Sequence, residues 1–118
     1  MNIETFRDYC LAKKRVTEEF PFDETTLVFK VMNKMFALTR LDTIPFSVNL
    51  KCDPDKAIEL REYHPEITPG YHMSKKHWNT VNFSDGLATD MLLELIDHSY
   101  NLVVSGLTKK MQQKLKNS

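Results

Sequence analysis

The stretch LVFKVMNKMFALTRL, from Leu27 to Leu41, constrains the fold of this 118-residue chain more than any other. Its apolar residues stand at every second position on both sides of the centre: Leu27, Phe29 and Val31, then Phe36 and Leu38. This alternation is typical of β-strands that turn one face toward a core. Met32-Asn33-Lys34 interrupts it, and asparagine tolerates the positive φ that a tight turn requires. The stretch therefore predicts two antiparallel strands joined by a short hairpin turn.

Other segments predict further strands. Val16 to Phe20 predicts a short strand that Pro21 ends or marks as an edge. Ile44 to Cys52 repeats the alternation, with Phe46, Val48 and Leu50 inward. An extended segment precedes a turn at Pro69-Gly70, and His77 to Phe83 predicts a last strand, which ends before the Asp85-Gly86 turn.

Three helices are predicted from their caps and apolar spacing. Ile3 to Lys14 follows Asn2, which is a suitable N-cap. Cys52 to Pro65 contains Asp53 as N-cap and proline at the first helical position, where its missing N–H has no partner to lose. Thr89 to Leu107 carries the longest apolar stripe. Residues 107–118 keep a helical spacing and predict a basic C-terminal helical tail.

The order of these elements indicates the fold class. Consecutive strands followed by helices predict an α+β domain, here an antiparallel sheet of about five to six strands with three packed helices. The length fits one domain, residues 1–118, and 42% hydrophobic and 27% charged residues are typical of a globular chain. The polar start, MNIETFRDYC, is unlike a signal peptide, and no apolar run approaches a membrane span of about 20 residues. We expect a cytoplasmic monomer that does not bind membranes.

Six segments resemble the MmcQ/YjbR family in the right order over nearly the whole chain. They are NIETFRDYCL, EEFPFDE, VMNKMFAL, NLKCDPDKA, LREYHPEITPGYHMSKKHWNTV and LIDHSYNLVVSGLTKK. Asn33 departs from the family, which usually has glycine in this turn. The resemblance implies helices against a curved antiparallel sheet, similar to secretion chaperones in shape. It also implies DNA binding, since the fold looks like a double wing of projecting hairpins, although fold alone does not fix function. It supplies no catalytic motif.

Charge distribution supports the same partner. The formal net charge is zero, yet no acid lies between Glu24 and Asp42 or between Glu66 and Asp85, and the charged side chains after Asp97 are all lysines. Lysines neutralise phosphates and aromatic faces stack on bases. The candidate nucleic-acid-binding residues are Lys30, Lys34, Tyr71, Lys75, Lys76 and Trp78. The plainer interpretation is that these lysines are an ordinary solvated surface.

The orientation of Trp78 stays open at this stage. If Val81 and Phe83 face the core, a period of two places Trp78, Thr80 and Asn82 on the opposite face. Trp78 would then be exposed unless a helix or the loop around Tyr71 covers it.

We expect no enzyme, metal or cofactor. His64, His72 and His77 could supply three zinc ligands, but no carboxylate or C-x-x-C partner stands at ligand spacing. Cys10 and Cys52 are far apart in sequence and have no nearby histidine to act as a base. The Ser99 hydroxyl is expected to bond a backbone carbonyl one turn back in its own helix. The alternative function is a protein- or small-ligand-binding module with no nucleic-acid role.

Overall fold

The predicted central hairpin forms in a computed structural model that describes residues 1–118. Its strands are β2 (Thr26–Val31) and β3 (Lys34–Arg40). Met32 and Asn33 make the turn with φ angles of 48° and 68°. Two consecutive positive φ angles are typical of the two-residue turn whose twist matches that of paired strands. The prediction for Asn33 is confirmed, and Met32 shares its left-handed conformation.

The sheet has six strands in the order β1-β2-β3-β4-β6-β5, and every neighbouring pair is antiparallel. The other four strands are β1 (Val16–Glu19), β4 (Ser47–Lys51), β5 (Ile67–Pro69) and β6 (Trp78–Asn82). The predicted α+β class and the upper strand number are therefore confirmed. Three strands are slightly shorter than predicted. β1 ends before Phe20, β4 begins after Phe46 and ends before Cys52, and β6 excludes His77 and Phe83.

Four helices accompany the sheet: α1 (Ile3–Leu11), α2 (Pro54–Tyr63), α3 (Thr89–Ser105) and α4 (Lys109–Lys116). Both predicted N-caps are confirmed, since the Asn2 side chain accepts a hydrogen bond from Thr5 N and Asp53 accepts one from Lys56 N. α1 ends earlier than the predicted Lys14, and Arg15 beyond it has a φ of 59°, outside the helical range.

The predicted helical tail is confirmed as α4, a fourth helix in addition to the three predicted packed helices. The C-terminal tail is a separate helix because the Thr108 side chain accepts a hydrogen bond from Met111 N and starts a new N-terminus. Leu115 is buried, so α4 is packed against the rest of the protein.

The main core lies between one face of the sheet and helices α1 and α3. Phe6 stands at its centre, and its ring meets Phe29, Phe46 and Phe83 edge-on at centroid distances of 5.3, 5.7 and 5.4 Å. The opposite face, here called the open face, carries a second small cluster of Val28, Leu38 and Trp78 with Met35 and Met73 against it. No helical residue belongs to this second cluster.

Ser99 joins the longest helix to the sheet. Its hydroxyl donates to the carbonyl oxygen of Phe36 at 2.5 Å and accepts from Lys51 N at 2.9 Å. The prediction that this hydroxyl bonds a carbonyl of its own helix is therefore wrong. The β3–β4 register pairs Ala37 with Leu50, so Phe36 and Lys51 are the next pair, and the hydroxyl bridges them in place of a direct backbone bond.

Antiparallel pairing gives the sheet two chemically different ends. We call one the hairpin end, which holds residues 12–15, the Met32–Asn33 turn, residues 52–53 and residues 70–77. The other is the loop end, which holds residues 20–25, 41–46 and 83–88. α1 begins at the loop end, where Met1 N donates to the carbonyl oxygen of Phe83 at 2.9 Å.

Candidate functional site

The two lysines of the central hairpin have different surroundings. Lys34 is exposed at the turn and has no carboxylate within ion-pair distance. Lys30 lies on the open face with 17% of its side chain exposed, and its Nζ is 2.5 Å from Glu19 Oε1 of the neighbouring strand. Of these two candidate nucleic-acid-binding residues, Lys30 therefore has a paired charge and Lys34 an unpaired one.

Lys75 and Lys76 are exposed on the loop that precedes β6, and neither has an acidic partner. The loop backbone is held in place. Arg61 Nη2 donates to the carbonyl oxygen of Lys75 at 2.8 Å, and Trp78 N donates to that of Ser74 at 2.9 Å. The two lysines therefore extend from a fixed backbone.

Trp78 lies on the open face, as the period of two predicts, but it is only 9% exposed. The start of the preceding loop lies against it, because Gly70 stands next to Trp78 Cβ and Met73 packs against the cluster that contains Trp78. Trp78, a candidate nucleic-acid-binding residue, belongs to the second core cluster, so little of its surface is available to stack on a base.

A polar cluster on the open face holds this loop down. Thr80 Oγ1 accepts from Tyr71 N at 2.9 Å and donates to Asn49 Oδ1 at 2.6 Å. Asn49 Nδ2 donates to the carbonyl oxygen of Tyr71 at 3.1 Å. The Tyr71 side chain remains 59% exposed and lies beside His72, with ring centroids 4.0 Å apart. Tyr71 is therefore the one candidate aromatic side chain that a ligand can reach.

The histidines do not form a metal site. No three side chains of histidine, cysteine, aspartate or glutamate stand close enough to share an ion, so His64, His72 and His77 do not form the zinc site considered above. The fourth histidine, His98, was not singled out from the sequence. Its Nε2 accepts from Asp53 N at 3.1 Å, and burial, followed by the charge of Lys56, lowers its pKa.

The hairpin end concentrates positive charge from segments far apart in the sequence. Val16 pairs with Val31, which pairs with Lys34, and Lys51 pairs with Trp78, so the residues before β1 and β6 share this end with the turn. The basic residues on or next to it are Lys13, Lys14, Arg15, Lys34, Lys51, Lys56, Lys75 and Lys76. The acids there are Asp53, Asp55 and Asp97, which pairs with Lys13, and α4 adds Lys109 and Lys116 beside Lys14.

The loop end has the opposite charge. Its acids are Glu4, Asp23, Glu24, Asp42, Glu66, Asp85 and Asp90. Arg40 is the basic side chain at this end, and its Nη2 lies 3.3 Å from Asp42 Oδ2. A chain with no net charge therefore has one basic and one acidic end.

This arrangement defines the class of protein: a small α+β protein with a half-open antiparallel sheet and a basic end. A family model described as YjbR matches residues 11–102. The chain belongs to the YjbR family, which confirms the resemblance. None of its four helices is long and apolar enough to cross a membrane.

Curated relatives are similar over nearly their full length. The chain is 40% identical to an Escherichia coli O157:H7 protein named uncharacterized protein YbdF, over 87% of this chain and 90% of that protein. It is 30% identical to uncharacterized protein YjbR of Escherichia coli K12, over 98% of both chains.

Solved structures share the fold. The crystal structure of Deinococcus radiodurans DR2400, with domain DUF419, superposes with a TM-score of 0.91 and 41% identity, over 98% of this chain and 88% of that one. A Pseudomonas syringae protein superposes with a TM-score of 0.75 and 29% identity, over 86% of this chain and 98% of that one.

Proposed function

We propose that this protein is a non-enzymatic DNA-binding protein that contacts the phosphate backbone with the hairpin end of its sheet. One observation carries the proposal: lysines from the turn, from the loop before β6 and from the segment before β1 meet at that end, while the acids lie mostly elsewhere. Lys34, Lys75 and Lys76 are its central contacts because they are exposed and unpaired.

The opposite charges of the two ends favour one orientation of approach. A polyanion attracts the hairpin end and repels the acidic loop end, even though the net charge is zero. Each lysine that reaches a phosphate releases condensed counterions, which makes the affinity depend on salt rather than on base sequence. The exposed ring of Tyr71 is available to stack on an unpaired base beside these contacts.

The state of the thiols supports a role without nucleophilic catalysis. Both cysteines are buried, and burial raises the pKa of Cys10 to about 12 and that of Cys52 to about 11. A nucleophilic cysteine needs a thiolate near neutral pH, and these environments oppose one.

A fluorescence-anisotropy titration tests the proposal with labelled duplex DNA and one of its single strands. We expect binding at low salt, and an affinity that falls about 40-fold between about 50 and 200 mM salt if three lysines contact phosphates. Absence of binding to either DNA at the lower salt would contradict the proposal.

The loop end favours the alternative function, a protein-binding module. Large apolar side chains are exposed on its loops: Phe20, Phe22, Leu41 and Ile44. Ile44 is 96% exposed, and acids surround the set, so the matching partner is a basic protein segment with apolar side chains. A labelled leucine–lysine peptide tests this alternative against a leucine–glutamate peptide of the same apolar pattern. Preferential binding of the basic peptide, lost in Ile44→Ser, would support it, and equal binding of both peptides would contradict it.

A further inference from the structure

A recess of about 620 Å³ lies between the end of α1, the last turns of α3 and helix α4. We call it the α4 recess. Its size falls in the range of small-molecule sites, about 300–1,000 Å³. It is separate from the turn and the loop that carry Lys34, Lys75 and Lys76, none of which lines it.

The floor of the α4 recess is apolar and fixed. It contains Tyr100, Val104 and the buried side chain of Leu115. The Tyr100 hydroxyl donates to the carbonyl oxygen of Lys14 at 2.8 Å, and its ring packs edge-on against Phe36 at 5.5 Å. These contacts hold the floor in place without a ligand.

Helix α4 is also fixed against α3. The Gln112 side-chain nitrogen donates to the carbonyl oxygens of Val104, Ser105 and Leu107 at 3.2, 3.3 and 3.1 Å. These carbonyls include ones left unpaired at the end of α3, so one glutamine both caps α3 and positions α4. The wall that α4 contributes thus has a defined position.

The rim carries three cations: Lys14, Lys109 and Lys116. None has a carboxylate within 4 Å, and no acid follows Asp97 in the sequence. Asp97 itself is occupied by the Tyr9 hydroxyl and by Lys13. Three unpaired ammonium groups around an apolar floor match an anion with an apolar body.

We propose that the α4 recess binds a small phosphorylated molecule with a flat apolar body, of the nucleoside diphosphate class. The apolar body lies on Tyr100, Val104 and Leu115, and the phosphates meet the three lysines. Flexible ammonium groups bind phosphate as point charges, so the site recognises charge and shape rather than one fixed phosphate geometry. The site shares Lys14 with the segment before β1, but it does not use Lys34, Lys75 or Lys76, the central DNA contacts, and does not depend on them.

An NMR titration of ¹⁵N-labelled protein tests the site with adenosine diphosphate, adenosine and inorganic phosphate as separate probes. We expect adenosine diphosphate to shift the amide signals of Tyr100, Val104, Lys109 and Leu115. We expect adenosine alone and phosphate alone to bind at least tenfold more weakly.

Two double variants locate the binding. Lys14→Ala with Lys116→Ala should weaken adenosine diphosphate at least tenfold, whereas Lys34→Ala with Lys76→Ala should leave its affinity within about twofold. The proposal is overturned if millimolar adenosine diphosphate shifts none of the recess signals, if phosphate alone binds as tightly, or if the second double variant causes the larger loss. DNA binding is tested with variants of Lys34, Lys75 and Lys76, whereas adenosine diphosphate binding is tested with variants of Lys14 and Lys116. Failure of one proposal is therefore distinguishable from failure of the other.

Discussion

Gly70 lies so close to Trp78 that a Cβ at position 70 would stand 2.8 Å from Trp78 Cβ and 3.0 Å from its carbonyl oxygen. The absence of a side chain lets the loop pack directly against Trp78. Gly70→Ala should therefore lift the loop, lower the unfolding free energy by about 1–3 kcal/mol and shift tryptophan fluorescence to the red. Urea unfolding and the emission spectrum of the single tryptophan measure both effects.

Gly106→Ala is the matched control. A Cβ there would meet its nearest backbone atom at 3.5 Å, and φ is −85°, which alanine adopts freely. Stability should stay unchanged or rise by about 0.4–1 kcal/mol, with unaltered fluorescence. Equal losses in the two variants would show that packing on Trp78 is not the cause.

Ser99→Ala should destabilise the protein by about 1–3 kcal/mol. It leaves the buried Phe36 carbonyl and the Lys51 amide without the hydroxyl that bridges them. Ser105→Ala is the comparison, because its exposed hydroxyl bonds only Leu102 O in its own helix and its loss should stay within about 0.5 kcal/mol. Similar denaturation midpoints for the two variants would contradict the bridging role.

The two cysteines should resist thiol reagents in the folded protein. Burial raises the pKa of Cys10 from 9.0 to about 12 and that of Cys52 to about 11, so at pH 8 both remain protonated and covered. The unfolded thiols ionise near pH 9, so this contribution to stability is complete below that pH and decreases as pH rises toward the folded values. A colorimetric disulfide reagent at pH 8 should react with both cysteines only in denaturant. Reaction of either cysteine at the rate of a free thiol in native protein would contradict the prediction.

Asn79 is 2% exposed, and neither its side-chain nitrogen nor its oxygen has a hydrogen-bond partner in the chain. Replacing it with leucine should raise the unfolding free energy by about 1–2 kcal/mol, because an unpaired buried amide is costly. Asn49→Leu should have the opposite sign, since it breaks the bonds to Tyr71 and Thr80 that hold the loop. Urea unfolding of both variants gives the signs, and a loss in Asn79→Leu would contradict this account.

Features that depend on sequence neighbours were predictable. The alternation around Phe29 predicted the β2–β3 hairpin, and Asn2 and Asp53 predicted where two helices begin. The period of two placed Trp78 on the face opposite Val81 and Phe83, but it did not decide which of the two faces is the core. The burial of Trp78 was not predictable, because the loop that lies against it makes a tertiary contact that no local pattern specifies.

The candidate site was harder to predict for the same reason. The ion pair of Lys30 with Glu19 depends on the register of β1 against β2. The meeting of residues 12–15 with Lys75 and Lys76 depends on strand directions across the whole sheet. Acid-free segments indicated where lysines collect in the sequence, but only the topology shows that they share one end.

The salt dependence of DNA affinity in two triple variants tests the central claim most directly. Lys34→Ala, Lys75→Ala and Lys76→Ala remove three charges at the hairpin end. Thr43→Glu, Ile44→Glu and Ala88→Glu change the net charge equally at exposed positions of the loop end. The account predicts that the slope of log affinity against log salt becomes shallower by about 2.7 in the first variant and stays near wild type in the second. Equal slopes in all three proteins would contradict it.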